Sequence, residues 1–141
     1  MTTESEWEQA IEKLIIMTES RQLIWQADPK TKSRRENVEG DVYVAKVQGR
    51  NIAVYEYRFP YYDEDSSGCS SSVGAISGWE MRNEVAIEFV DESGVLQYRW
   101  PAVAGRWTLL DIIRCAVSGA QDFLKTFLAQ PLQEHGVSVL S

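Results

Sequence analysis

The chain has 141 residues, with 14 Lys and Arg against 21 Asp and Glu, and therefore a formal net charge of −7. This length corresponds to a single domain over residues 1–141, and a 44% hydrophobic share with 25% charged residues argues against disorder of the whole chain. The negative charge argues against nucleic acid or an anionic membrane as the main partner, because such binding depends on Lys and Arg that neutralise phosphates.

The start of the chain and its cysteines predict where the protein is located. Residues 1–8 are acidic and lack the apolar stretch of a secretory signal. No apolar run approaches the roughly 18 residues that a membrane helix needs. Cys69 and Cys115 lie far apart in sequence, and without a signal peptide we expect free thiols. We therefore expect a cytoplasmic protein.

The first predicted element is an amphipathic helix. Thr3 and Ser5 each offer a hydroxyl cap with a Glu three residues later, which is the capping-box spacing. An apolar face follows at helical spacing, made of Trp7, Ala10, Ile11, Leu14, Ile15 and Thr18. Apolar and polar residues alternate in residues 21–27, which suits a short strand. A continuation of the first helix through this segment also fits. Pro29 ends either element.

Two β-hairpins follow. The first, over residues 42–59, has a predicted turn centred on Gly49 and Arg50 and is apolar on both faces. Its outer face carries Val42, Val44, Tyr55, Tyr57 and Phe59. The second hairpin turns at residues 91–94. Its alternation predicts one apolar face and one wet face with Glu88, Gln97 and Arg99.

The last predicted element is one long helix from about Leu109 to Ala129. Thr108 caps it, and Pro131 marks its end. A broad apolar stripe runs along it and includes Phe123, Leu124 and Phe127. Gly119 lies inside this helix and indicates a close packing contact or a bend.

The run of Leu14, Ile15, Thr18, Leu23 and Trp25 resembles a feature of small bacterial proteins with no assigned function. In those proteins an amphipathic helix leads into a short strand that closes on Trp, and a β-meander and a final helix follow. The resemblance implies this layout for most of the chain and implies no activity.

Two charged segments contain residue types that bind ligands in other proteins. Residues 63–68 alternate oxygen ligands and end on Gly68, as a calcium loop begins, but Gly74 stands where that loop requires Glu. The basic residues Lys30, Lys32, Arg34 and Arg35 form a local cluster. We expect a solvated loop there, with binding to phosphate or to an acidic partner as the alternative. Neither pattern predicts a metal or cofactor site.

Nucleophiles and carboxylates give no catalytic signature. Cys69 lies among small residues, but a nucleophilic Cys needs an adjacent base, and the sole histidine is His135 in the tail. Glu56, Glu84 and Glu88 lie on predicted strands, where we expect them to form a wet sheet face. No catalytic residue, metal ligand or cofactor is therefore predicted.

These features together predict an α+β domain with an N-terminal helix, an antiparallel meander of four to five strands and a C-terminal helix, both helices on one sheet face.

Exposed apolar surface marks a partner, and Tyr is enriched in interfaces. We therefore expect a non-catalytic binding or assembly module that forms a homodimer through the outer face of the first hairpin. The alternative to a partner is that the chain itself covers this outer face, either with one of its helices or with residues 61–78. The alternative function is a small-ligand or metal-binding protein, or an enzyme, with a pocket lined by Trp25, Tyr98, Trp100 and Trp107.

Overall fold

A computed structural model describes residues 3–62 and 79–132 of the chain. These residues form the following elements in chain order: α1 (Glu4–Glu19), β1 (Gln26–Ala27), α2 (Pro29–Ser33), β2 (Val38–Val47), β3 (Arg50–Tyr62), β4 (Trp79–Val90), β5 (Leu96–Arg99), α3 (Arg106–Ser118) and α4 (Ala120–Ala129). The five strands form an antiparallel sheet in the order β1-β2-β3-β4-β5. The predicted α+β class and the antiparallel meander are confirmed.

Helix α1 begins at the predicted capping box. The Thr3 hydroxyl accepts a hydrogen bond from the Glu6 backbone N–H at 3.2 Å, and the Glu6 carboxylate accepts one from the Thr3 N–H at 2.9 Å. The segment after α1 folds back against this helix. There, Trp25 Nε1 donates a hydrogen bond to Thr18 Oγ1 at 2.9 Å. Of residues 21–27, only Gln26 and Ala27 form a strand, paired with β2.

The first hairpin has the predicted faces and a different register. Its turn is at Gln48 and Gly49, which both have positive φ (51° and 80°), the backbone that a tight two-residue hairpin turn requires. Val47 therefore pairs with Arg50 and not with Ile52. An offset of two residues leaves every side chain on its predicted face, because strand side chains alternate with period two.

One face of the sheet is covered by α1 and α3. The largest cluster of buried side chains lies there and joins α1, α3 and alternate residues of β2, β3 and β4. Ile11 from α1 and Leu109, Leu110 and Ile113 from α3 are fully buried. Each such side chain contributes about 1.5–3 kcal/mol relative to an exposed one. The placement of α1 and α3 on one sheet face agrees with the prediction.

The predicted single C-terminal helix is two helices. Gly119 has φ +74°, a left-handed conformation that ends α3 and precedes α4. A Cβ at Gly119 would meet no atom within 4 Å, so the glycine serves to turn the chain and not to allow close packing. α3 also begins earlier than predicted, at Arg106 after Gly105.

Candidate binding surfaces

The second face of the sheet carries a smaller cluster that is largely buried within the chain. Its members are Val42, Ala53, Tyr55, Ala86 and Val90, with Val38, Val44 and Tyr57 partly buried around them. α2 and the residues after it lie against this face. Thr31 of α2 is fully buried and approaches Gly94 of the β4–β5 turn.

A buried carboxylate joins the elements of this second face. Glu88 is 0% exposed, and its Oε2 accepts a hydrogen bond from the Tyr55 hydroxyl at 2.6 Å. Arg35 donates from Nε and Nη2 to Glu88 Oε1 at 3.0 and 2.9 Å. Arg99 donates to Oε2 at 3.1 and 2.8 Å. Glu88 was expected on a wet face, and this expectation is wrong, because two guanidinium groups and a phenol replace the water around it.

Tyr55 gives this network a pH dependence. Burial and the hydrogen bond to Glu88 raise the pKa of Tyr55 to about 12, from an ordinary value of 10.0. Because the folded chain holds this proton more tightly than the unfolded chain, stability falls as pH rises from about 10 to about 12. We therefore expect the free energy of unfolding, measured with urea, to fall less over this pH range for Tyr55→Phe than for the wild type. Tyr98→Phe, at an exposed position, should follow the wild type. If the free energy of unfolding falls equally with pH in Tyr55→Phe and in the wild type, the raised pKa of Tyr55 is contradicted.

The other two carboxylates of the predicted wet face also have cationic partners. Glu56 accepts from Arg114 Nη2 at 2.9 Å and Asn83 Nδ2 at 2.6 Å, and the hydrogen bond from Asn83 is the main cause that lowers the pKa of Glu56. Glu84 accepts from Arg106 Nη1 at 3.0 Å. These pairs tie α3 to the sheet, and neither places two carboxylates together for acid–base chemistry.

The five hairpin residues predicted as an interface lie on one sheet face but differ in exposure. Val42 and Tyr55 are 0% and 2% exposed in the single chain, while Val44, Tyr57 and Phe59 are partly buried. The rings of Tyr55, Tyr57 and Phe59 form a continuous row, with centroids 6.1 and 5.7 Å apart. Only the partly buried members can offer area to a partner.

The basic cluster makes contacts within the chain. Lys30 Nζ and Arg34 Nε donate to the backbone oxygens of Glu92 and Ser93, at 2.7 and 2.8 Å. Arg35 is bound to Glu88. The segment predicted as a solvated loop contains α2, and these contacts fasten it to the β4–β5 turn.

The four aromatic residues predicted to line one pocket are not all buried in one place. Trp25 and Trp100 belong to the main core, at 5% and 7% exposed. Tyr98 and Trp107 are exposed. Trp100 does line a groove, but with different neighbours: α1 and the β2–β3 turn form its walls.

Helix α4 exposes an apolar surface that is part of the stripe predicted for the single C-terminal helix. We call Phe123, Leu124, Phe127 and Leu128 the α4 face; these side chains are 65%, 51%, 58% and 74% exposed. Phe123 and Phe127 stack with centroids 5.5 Å apart. α4 contacts the described chain mainly through α3, and an ion pair joins Asp122 to Arg21. The break at Gly119 is what directs this stripe away from the sheet.

Several sequence predictions fall on residues outside the described ranges: the acidic segment 63–68, Cys69 and His135. Within residues 3–62 and 79–132, His, Cys, Asp and Glu side chains form no group of three that could hold a metal ion. In the same ranges, no helix has both the length and the apolar character needed to cross a membrane.

The fold thus defines an α+β domain whose five-stranded antiparallel meander is covered by α1 and α3 on one face. Comparison with protein-family models, with curated proteins and with solved structures found no match.

Proposed function

We propose that this chain is a non-catalytic assembly module that pairs with a second copy of itself through the α4 face. One observation carries the proposal: α4 is amphipathic, and its apolar side chains are exposed in the described chain. A surface helix of a globular domain normally turns such a stripe towards the core. A contiguous exposed apolar patch is typical of an interaction site.

The charge of α4 favours a protein partner over a membrane surface. Helices that lie in the membrane interface are rich in Lys and Arg on their polar face. In α4, Lys125 is the sole basic residue, and the chain as a whole carries −7. Anionic lipid would therefore repel the domain.

The order of side chains on the α4 face suits a second copy. If two α4 helices pair antiparallel about a two-fold axis between residues 125 and 126, Phe123 lies opposite Leu128 of the other copy. Leu124 then lies opposite Phe127. Each aromatic ring then meets an aliphatic side chain, and the side-chain ridges of one helix can pack into the grooves of the other. The contact is isologous, the commonest arrangement in homo-oligomers.

The homodimer through the first hairpin remains a prediction, but that surface is less available. Two of its five residues are already buried within the chain, whereas all four residues of the α4 face are at least half exposed. The proposed interface is therefore on α4, and the same experiment tests both surfaces.

Sedimentation velocity at micromolar concentration tests the proposal. We expect a dimer for the wild type and a monomer for the double variant Phe123→Ser, Phe127→Ser, because loss of these rings raises the dimer Kd by at least about 100-fold. Lys125→Ser, on the polar side of the same helix, is the matched control and should stay dimeric. A wild type that is monomeric, or a double variant that still dimerises, contradicts an interface on α4. A dimer that is lost on Tyr57→Ser but kept in the double variant would favour the hairpin.

A further inference from the structure

A groove separates α1 from the end of the sheet where β2 turns into β3. This open groove has a volume of about 510 Å³, within the range of small-molecule sites. Leu14 and Met17 of α1 line one wall. Val47 and Phe89 of the sheet line the other, together with Trp100, which follows β5. No residue of α4 lines it, so the groove is separate from the surface proposed for assembly.

The rim of the groove is cationic although the chain is acidic. The groove is lined by three basic residues, Lys13, Lys46 and Arg50. None of its lining residues is Asp or Glu. The guanidinium of Arg50 is held over the Phe89 ring, 3.9 Å from the centroid. Lys46 has an exposed ion pair with Glu92 at 3.3 Å, whereas Lys13 and Arg50 have no ion-pair partner within the described residues. Two cations at the mouth are therefore free to bind an anion.

Trp100 lines the groove through its indole ring, and the ring nitrogen itself is buried away from solvent. Trp100 is 7% exposed, and its Nε1 is the one buried side-chain polar atom among the described residues that has no hydrogen-bond partner. A buried donor without a partner costs about 1–3 kcal/mol. Because solvent does not reach this nitrogen, the indole contributes apolar ring surface to the groove and no donor.

We infer that this groove binds a small amphipathic carboxylate, with an apolar body between α1 and the sheet and its carboxylate at Lys13 and Arg50. The apolar walls supply affinity by burying the body, and the cations select the anion. An apolar amine of the same size lacks this charge complementarity and is excluded.

Calorimetric titration with two matched probes tests the inference. Naphthoxyacetate has an aromatic body, an ether oxygen and a carboxylate; naphthoxyacetamide has the same shape without the charge. We expect the carboxylate to bind at least about tenfold more tightly than the amide, a difference of about 1.4 kcal/mol. We also expect it to shift the indole N–H resonance of Trp100 in a nitrogen–proton correlation spectrum.

Variants separate the site from non-specific binding and from the assembly proposal. The pair Lys13→Gln, Arg50→Gln should weaken naphthoxyacetate binding by about tenfold, and Lys32→Gln, an exposed lysine of α2 that does not line the groove, should not. The monomeric Phe123→Ser, Phe127→Ser variant should bind as the wild type does. No measurable binding, equal affinity for the amide, or an unchanged affinity in the Lys13, Arg50 variant would overturn the inference, whatever the oligomeric state.

Discussion

Replacement of Glu88 by Ala is expected to lower the free energy of unfolding by about 3–5 kcal/mol. The substitution removes the shared acceptor of three side chains. It leaves Arg35, whose side chain is 10% exposed, without its carboxylate partner, and it leaves the buried Tyr55 hydroxyl without its acceptor. An uncompensated buried charge is among the most costly single changes in a protein interior. Urea unfolding measures the loss, which is a large fraction of the stability of a domain of this size.

A matched control for Glu88 is Glu80. Its carboxylate pairs with Arg82 at 3.0 Å, with both side chains about half exposed. Glu80→Ala should therefore cost no more than about 1 kcal/mol, as exposed pairs do. Equal losses for the two variants would show that Glu88 is solvated in solution and that the second sheet face is open.

Replacement of Gly94 by Ala is expected to cost about 2–4 kcal/mol, because two penalties add. Gly94 has φ +85°, which disfavours any residue with a Cβ. A Cβ there would also lie 2.8 Å from the Thr31 Cα and 2.7 Å from its Oγ1. The β4–β5 turn or α2 would have to move, and the contacts of Lys30 and Arg34 with that turn would be strained.

Gly49 separates these two penalties. It has nearly the same φ, +80°, but a Cβ there would meet no atom within 4 Å. Gly49→Ala should therefore show the backbone penalty alone, about 1 kcal/mol. The excess loss in Gly94→Ala measures the packing of α2 on the turn. If the two variants unfold at the same urea concentration, α2 does not close this face.

Features determined by neighbouring residues could be predicted from the sequence. The capping box at Thr3 needs only Glu6, and the turn at residues 91–94 needs only Asp91, whose Oδ1 accepts from the N–H groups of Ser93 and Val95 at 2.8 and 2.9 Å. The sheet faces were also predictable, because alternation is unchanged by a register offset of two residues.

Features that depend on distant parts of the chain could not be predicted. Alternation places Glu88 on the second face, but it does not show that Arg35, 53 residues earlier, returns to bind it. The exposure of Phe127 depends on the backbone of a single residue, Gly119, at which the chain either bends or continues as a helix. A continuous helix and a helix broken at Gly119 have the same apolar stripe in the sequence. The stripe alone therefore could not show that Phe127 is exposed.

Amide hydrogen exchange in α4, measured as a function of protein concentration, tests the central claim most directly. A helix of 10 residues is marginal when its apolar face is exposed to water, so its amides should exchange quickly in the monomer. Pairing with a second copy buries the α4 face, and we expect protection of residues 120–129 to rise as concentration passes through the dimer Kd. In the Phe123→Ser, Phe127→Ser variant, exchange should stay fast at every concentration. Protection that is the same at all concentrations in the wild type would contradict the account.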